Sequence, residues 1–468
     1  MDIPETRLSR ISKLFIDRDE ATAEAALARR QRHAVTLCCG SDVEESYTLQ
    51  LAVLTAANIA NRCFPGAVRI ALEHKLVEAP LLVWPSLKQK FGQAIVGLLG
   101  PDALTELSNH EHDHHMVLFG NAVPTKGALR ATFDGWIAMV GPADEASRLP
   151  EREYCSLAGI LAASLAISEL FLSFAEISID ASRRTVALSL WQPAAVVRDP
   201  AALGIPVQFL PGDLWIMGLG HLGNAYLWSL STLPYQDPGA VEIFLNDFDR
   251  IELANLETGL LFNPDNLHPR YKTRVCSEWL EKRGFQTRLV ERRFDSHFRC
   301  RADEPKLALC GFDSNPARRD LSTAEFLRVI ESGLGGTANN FDTISLHTLP
   351  NARTAEELWP DLTAHEDAKR IADQERTAQQ NAAYARLAHD ECGRYELAGK
   401  SVAVPFVGAT AASLVVAESI RLLHSGPAYT EIKITLSALG TRVAQSTGNY
   451  GNQDFAGLKY CDCRVPHP

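Results

Sequence analysis

Positive charge, membrane-spanning runs and paired cysteines are all scarce in this 468-residue sequence, and each shortage narrows the function. Forty-six lysines and arginines face 57 aspartates and glutamates, for a net charge of −11. That balance argues against a nucleic-acid partner held by broad electrostatic attraction to phosphates. No apolar run is expected to span a bilayer, and the opening MDIPETRLSR has no secretory signal, so no membrane partner is expected. The ten cysteines lack the spacing of a disulfide framework, which points to a reducing compartment and makes the cytoplasm the expected location. What remains is globular, 46% hydrophobic and 22% charged, and long enough for two or three domains.

The chain is organised around the stretch from Asp213 to Lys272. A short apolar strand, Leu214 to Met217, leads into Gly218-Leu-Gly220-His-Leu-Gly223 and then a helix-compatible segment. Glycines at this spacing allow a tight turn, a close approach to a phosphate, and close packing of helix on strand. The phosphate would sit at the helix N-terminus, where unpaired N–H groups and the dipole favour an anion. A second strand, Val241 to Leu245, is followed by Asp247, the acid that a dinucleotide fold also places there.

Beyond Asp247 the pattern leaves the oxidoreductases. It continues through Asp249, Asn255 and Lys272, then Gly311-Phe-Asp313-Ser-Asn-Pro-Ala-Arg318 after an apolar strand, then Val329-Ile-Glu-Ser-Gly333. These elements, in this order, resemble the adenylating domain of the E1-like family: the ubiquitin-activating enzymes and their relatives in thiamin and molybdopterin synthesis. The resemblance implies ATP and Mg²⁺ as cofactors. It implies that Gly218, Gly220 and Gly223 pack against the nucleotide and that Asp247, with Asp249 beside it, takes the ribose. Asn255 and Lys272 would contact phosphates, and Asp313 would hold Mg²⁺. Arg7-Leu-Ser-Arg10 resembles the family's N-terminal motif, which makes Arg10 a candidate finger on the phosphates. Cys392, in the polar stretch where the family carries its crossover loop, would be the catalytic thiol. Two positions depart from the pattern: His221 replaces a glycine, and Thr258 stands where the family has an arginine, a loss that Arg270 or Arg274 would have to cover.

The first part of the chain reads as an eroded copy of the second. Pro65-Gly-Ala-Val68-Arg-Ile70 matches Pro238-Gly-Ala-Val241-Glu-Ile243, and Gly159 to Glu169 matches Gly408 to Glu418. Where the glycine loop should be, the sequence has Cys39-Gly-Ser-Asp-Val-Glu-Glu-Ser-Tyr47, whose acids would repel ATP.

The expected fold is therefore α/β, with two Rossmann-like adenylation-type domains, each a mostly parallel sheet flanked by helices. Residues 1–205 would be the inactive domain and 206–468 the active one, with the crossover segment at about 354–400. Ser345 to Pro350 is expected to be a strand that leads out of the fold. The His110 to His115 cluster reads as a solvated loop, and the single Cys461/Cys463 pair falls short of a zinc site.

By resemblance, the chain would adenylate the C-terminus of a ubiquitin-like protein, hold it as a thioester on Cys392 and pass it to an E2-like carrier. The pairing of halves would make a pseudo-dimer within one chain, or a homodimer of such chains. Two other readings stay open: an adenylating enzyme that omits the thioester step, as in sulfur-carrier or peptide and cofactor maturation, and a non-catalytic scaffold.

Overall fold

The computed structural model describes residues 9–19, 22–66, 68–105, 115–267, 270–387 and 391–464. The first sheet holds β1 (Val35–Cys39), β2 (Val68–Ala71), β3 (Leu104–Thr105), β4 (His115–Phe119), β5 (Leu129–Asp134), β6 (Ile137–Pro142) and β7 (Val186–Ser189), in the order β3-β2-β1-β4-β5-β6-β7. Its strands are parallel from β3 to β5, and β6 and β7 run antiparallel.

A linker containing β8 (Phe209–Pro211) leads to the second sheet: β9 (Leu214–Met217), β10 (Glu242–Asn246), β11 (Gln286–Val290), β12 (Leu307–Cys310), β13 (Arg328–Leu334), β14 (Thr343–Leu349), β15 (Pro427–Thr435) and β16 (Val443–Asn449). Their order is β11-β10-β9-β12-β13-β14-β15-β16, again parallel up to the fifth strand and antiparallel beyond. The two sheets share one topology, and the second adds an edge strand. The repeated segments fall at equivalent places. One pair leads into β2 and β10, and the other lies in the helices Leu157–Phe174 and Pro405–Leu423.

Those two helices are apolar on every side because each is buried on every side. They pack on one another across the halves, with Phe171 and Phe406 ring centroids 5.3 Å apart. Contrary to the expectation above, both are long and apolar enough to cross a membrane, but their windows are 94% and 100% buried inside the protein. Several of their polar side chains bond within the helix: Ser164, Thr410 and Ser413 donate to carbonyls one turn back, and Glu418 pairs with Arg421, while the Ser168 hydroxyl is buried without a partner. Each fully buried Leu, Ile, Val or Phe contributes roughly 1.5–3 kcal/mol by leaving water, so this shared layer joins the halves into one core.

One expectation about the second half changes. The segment Ser345 to Pro350 does not lead out of the fold, because β14 is an interior strand between β13 and β15. Its histidine holds it there: His347 Nδ1 lies 3.1 Å from buried Glu331, and Glu431 faces the same ring. Cys461 lies on β17 (Tyr460–Asp462), which pairs with β8, and Cys463 follows it. Among the described residues no cluster of three or more metal-ligating side chains forms. His110, His112 and His114 lie outside the described residues.

Candidate active site

The site is built where β9 turns into the helix His221–Ser231. Gly218 sits at φ +83°, a left-handed conformation that only glycine adopts without strain. A Cβ on Gly223 would lie 1.9 Å from the Gly218 carbonyl oxygen, so helix and strand touch only because that side chain is missing. Gly220 differs from both: nothing lies within 4 Å of its missing Cβ. No side chain caps the helix that it opens. An uncapped helix end beside open space suits an anion.

Asp247 joins this loop to the next strand end. Its carboxylate accepts N–H bonds from Leu219 at 2.6 Å and from Asp249 at 2.7 Å. Burial pushes its pKa up, and the nearby Lys272 ammonium opposes that rise. Lys272, the first residue of the helix Lys272–Glu281, is buried and places Nζ 2.8 Å from the Asp249 carboxylate. Asn255 accepts the Glu252 N–H at 2.9 Å through Oδ1, so its amide NH₂ is the group left for a ligand.

Asp313 is exposed on the loop after β12. The neighbouring Ser314 stands at the N-cap of the helix Asn315–Asp320, so capping is not the task of Asp313. Arg318 fixes this loop, bonding the Phe312 carbonyl at 3.0 and 2.7 Å and reaching Glu331 at 2.8 Å.

Arg10 enters from the N-terminal segment of the same chain. Its guanidinium donates to the Ser401 carbonyl at 3.1 Å. Burial lowers its pKa, and Glu252, Asp313 and Glu257 work against that shift. The glycines, Asp247, Asp249, Lys272, Asp313 and Arg10 thus converge on one region. The backbone of Cys392 belongs to the helix Glu391–Gly399, and its side chain lies outside the described residues. The chain after that helix returns to the site at Ser401.

A curated bacterial E1-like protein, BilD from Collimonas sp. (strain OK412), is 35% identical over 437 residues, covering 92% of this chain and 91% of that protein. The chain belongs to the BilD family of bacterial E1-like proteins. The BilD N-terminal domain family matches residues 34–190 and the BilD C-terminal domain family residues 210–426.

Among solved structures, E. coli MccB aligns with a TM-score of 0.36 at 18% identity, covering 54% of this chain and 66% of that one. The chain therefore spans just under two thirds of that protein's length. A crystal form of MccB with ATP aligns with a TM-score of 0.35 at 19% identity, over 51% of this chain and 64% of that one. MccB in complex with N-formylated MccA aligns with a TM-score of 0.35 at 15% identity, over 72% of this chain and 98% of that one.

Both departures from the E1 pattern have a local explanation in this BilD-family chain. The His221 ring bonds backbone at Pro405, and burial lowers its pKa to about 4, so it stays neutral. A Cβ at Gly408 would sit 2.3 Å from His221 Nε2, so histidine and glycine form a matched pair.

The missing arginine at Thr258 is not covered by Arg270 or Arg274. Arg270 pairs with Glu278, and Arg274 binds Glu291 at 2.9 and 3.0 Å. Two arginines of the first half, which sequence reasoning missed, surround the loop instead. Arg62 donates to the carbonyls of Leu256, Leu260 and Phe262 at 2.8, 3.1 and 3.0 Å, and Arg30 reaches Glu257 at 3.1 Å. No spacing rule marks such residues, because their partners lie about 200 positions away.

Proposed function

We propose that the chain activates the C-terminal carboxylate of a ubiquitin-like protein with MgATP, holds it as a thioester on Cys392, and passes it to an E2-like carrier. The observation that carries this reading is the open, uncapped helix start at Gly220, whose loop Asp247 holds and beside which Lys272 pairs with Asp249. The residues present fit MgATP: an uncapped helix end for phosphate, an exposed carboxylate for a hard cation, and two cations of the same chain nearby.

In this reading the glycine loop lets the phosphates approach the backbone, and Asp247 holds that loop in register while facing the ribose. Lys272 and Arg10 spread the charge that grows on the phosphates as the carboxylate oxygen bonds the α-phosphorus and pyrophosphate leaves. Asn255 directs its amide NH₂ to a phosphate oxygen. Asp313 would hold Mg²⁺, whose charge would offset that of the phosphates. The Cys392 thiolate then attacks the acyl carbon and AMP departs, so no net oxidation occurs.

The test is ATP–pyrophosphate exchange with a candidate ubiquitin-like protein, run beside a non-reducing gel. Exchange together with a thiol-sensitive adduct that Cys392→Ala abolishes, while exchange persists, is the expected result. Exchange without an adduct would replace the thioester step with direct transfer to another nucleophile. A folded chain without exchange or MgATP binding would overturn the enzyme.

A further inference from the structure

We propose that Arg30, in the degenerate half, is a positioning residue that holds Arg10 in the active site. This rests on the reading of that site as a MgATP site. Arg30 lies on the helix Ala23–Gln31 and is 1% exposed. A buried guanidinium keeps its charge and must have its donors engaged.

Its Nη1 donates to Ser9 Oγ at 3.0 Å, Ser12 Oγ at 3.1 Å and Glu257 Oε1 at 3.1 Å. Nε donates to the Cys63 carbonyl at 3.2 Å and Nη2 to the Arg62 carbonyl at 2.5 Å, where the helix Tyr47–Cys63 ends. Carbonyls at a helix C-terminus suit a cation. One side chain therefore ties together three pieces of backbone that are far apart in sequence.

Two of those contacts frame Arg10. Ser9 and Ser12 stand on either side of it, and Ser9 Oγ also accepts the Ser12 N–H at 2.9 Å, which sets the start of the helix Ser12–Asp19. The third contact, Glu257, also attracts Arg10, and its second oxygen, Oε2, is buried without a partner. Arg30 thus fixes the backbone from which Arg10 projects and supplies the counter-charge that keeps Glu257 from pulling Arg10 toward itself. The cation absent at Thr258 is matched by a buried one next door, brought by the other half. Lysine cannot do the same work. A single ammonium on a flexible stem offers three donors and no planar fork for these five acceptors.

The experiment is isothermal titration of the full chain with MgATP, for wild type, Arg30→Lys, Arg10→Ala and the double variant, with thermal melts alongside. Arg30→Lys and Arg10→Ala are each expected to weaken binding about tenfold, and the double variant no more than Arg10→Ala alone, because coupled residues fail to add. Should Arg30→Lys not fold, Ser9→Ala and Glu257→Gln make the same comparison from the acceptor side, each losing its effect in the Arg10→Ala background. Wild-type affinity in Arg30→Lys, or a loss that multiplies with that of Arg10→Ala, would overturn the positioning role. Equal affinity of Arg10→Ala and wild type would remove it together with the role of Arg10. A folded wild type that does not bind MgATP would overturn the nucleotide site itself.

Discussion

The helix after the first strand begins in opposite ways in the two halves. In the first half, Gly40 follows β1, and any Cβ there would lie 2.1 Å from Asn121 Oδ1, so no space remains. Asp42 follows, accepting the Asn121 N–H at 2.9 Å and pairing with Arg148. The end of the helix Tyr47–Cys63 is then closed by protein carboxylate: Glu153 accepts the Thr48 N–H at 3.0 Å and the Ser46 hydroxyl, while Ser46 caps Leu49. In the second half the same end has Gly220, open space and no cap. One topology thus carries two kinds of helix start, one closed by protein carboxylates and one open. The first half keeps its sheet and its core, and its own acids stand where phosphate would go.

Making the second half resemble the first gives the largest expected effect. Gly220→Asp puts a carboxylate into the open end and is expected to weaken MgATP binding by more than about 100-fold through like-charge repulsion at close range. Because φ at Gly220 is −76° and space is free, the melt should move by less than about 1 kcal/mol. Calorimetric titration and a melt check both parts.

A middle-sized effect concerns pH. His221 has a folded pKa of about 4, below its ordinary value of 6.5. Between those values the unfolded chain takes up a proton that the folded chain refuses. The stability contribution is therefore complete above pH 6.5 and is lost as pH falls toward 4, by about 3 kcal/mol. Thr48, the second residue of the corresponding helix of the first half, meets Gly159 as His221 meets Gly408. His221→Thr should flatten the denaturation midpoint between pH 6.5 and 4 relative to wild type, and an unchanged slope would dissociate His221 from the acid sensitivity.

The smallest effect is expected in the first half. Arg148 pairs with Asp42 and Glu151 at about one-third exposure. Arg148→Met should cost about 1 kcal/mol in a denaturant titration and leave MgATP affinity unchanged. A change in affinity would mean that the filled loop still communicates with the open one.

How much of this was legible follows from range. The second half's glycine loop, Asp247, Lys272 and Asp313 are spaced by local strand–turn–helix geometry, so their order alone placed them in one region. The duplication was also readable, since Pro65 to Leu72 and Pro238 to Leu245 enter the same strand of each sheet. Strand β14 was read as a strand leading out of the fold, not as an interior one, because its pairing of His347 with Glu331 and Glu431 exists only when β13, β14 and β15 lie side by side. Arg30 and Arg62 were invisible for the same reason, since an arginine in a helix pattern reads as solvated until its partners are located. Both long helices contain scattered Ser, Thr and Glu, and that polarity concealed how apolar they are overall.

The most direct test of the account is the stoichiometry of MgATP binding to the full chain. One site per chain, abolished by Gly220→Asp and untouched by Arg148→Met, is the predicted result. Two sites, or one that survives Gly220→Asp, would show that the open end of the second half is not what separates the two halves.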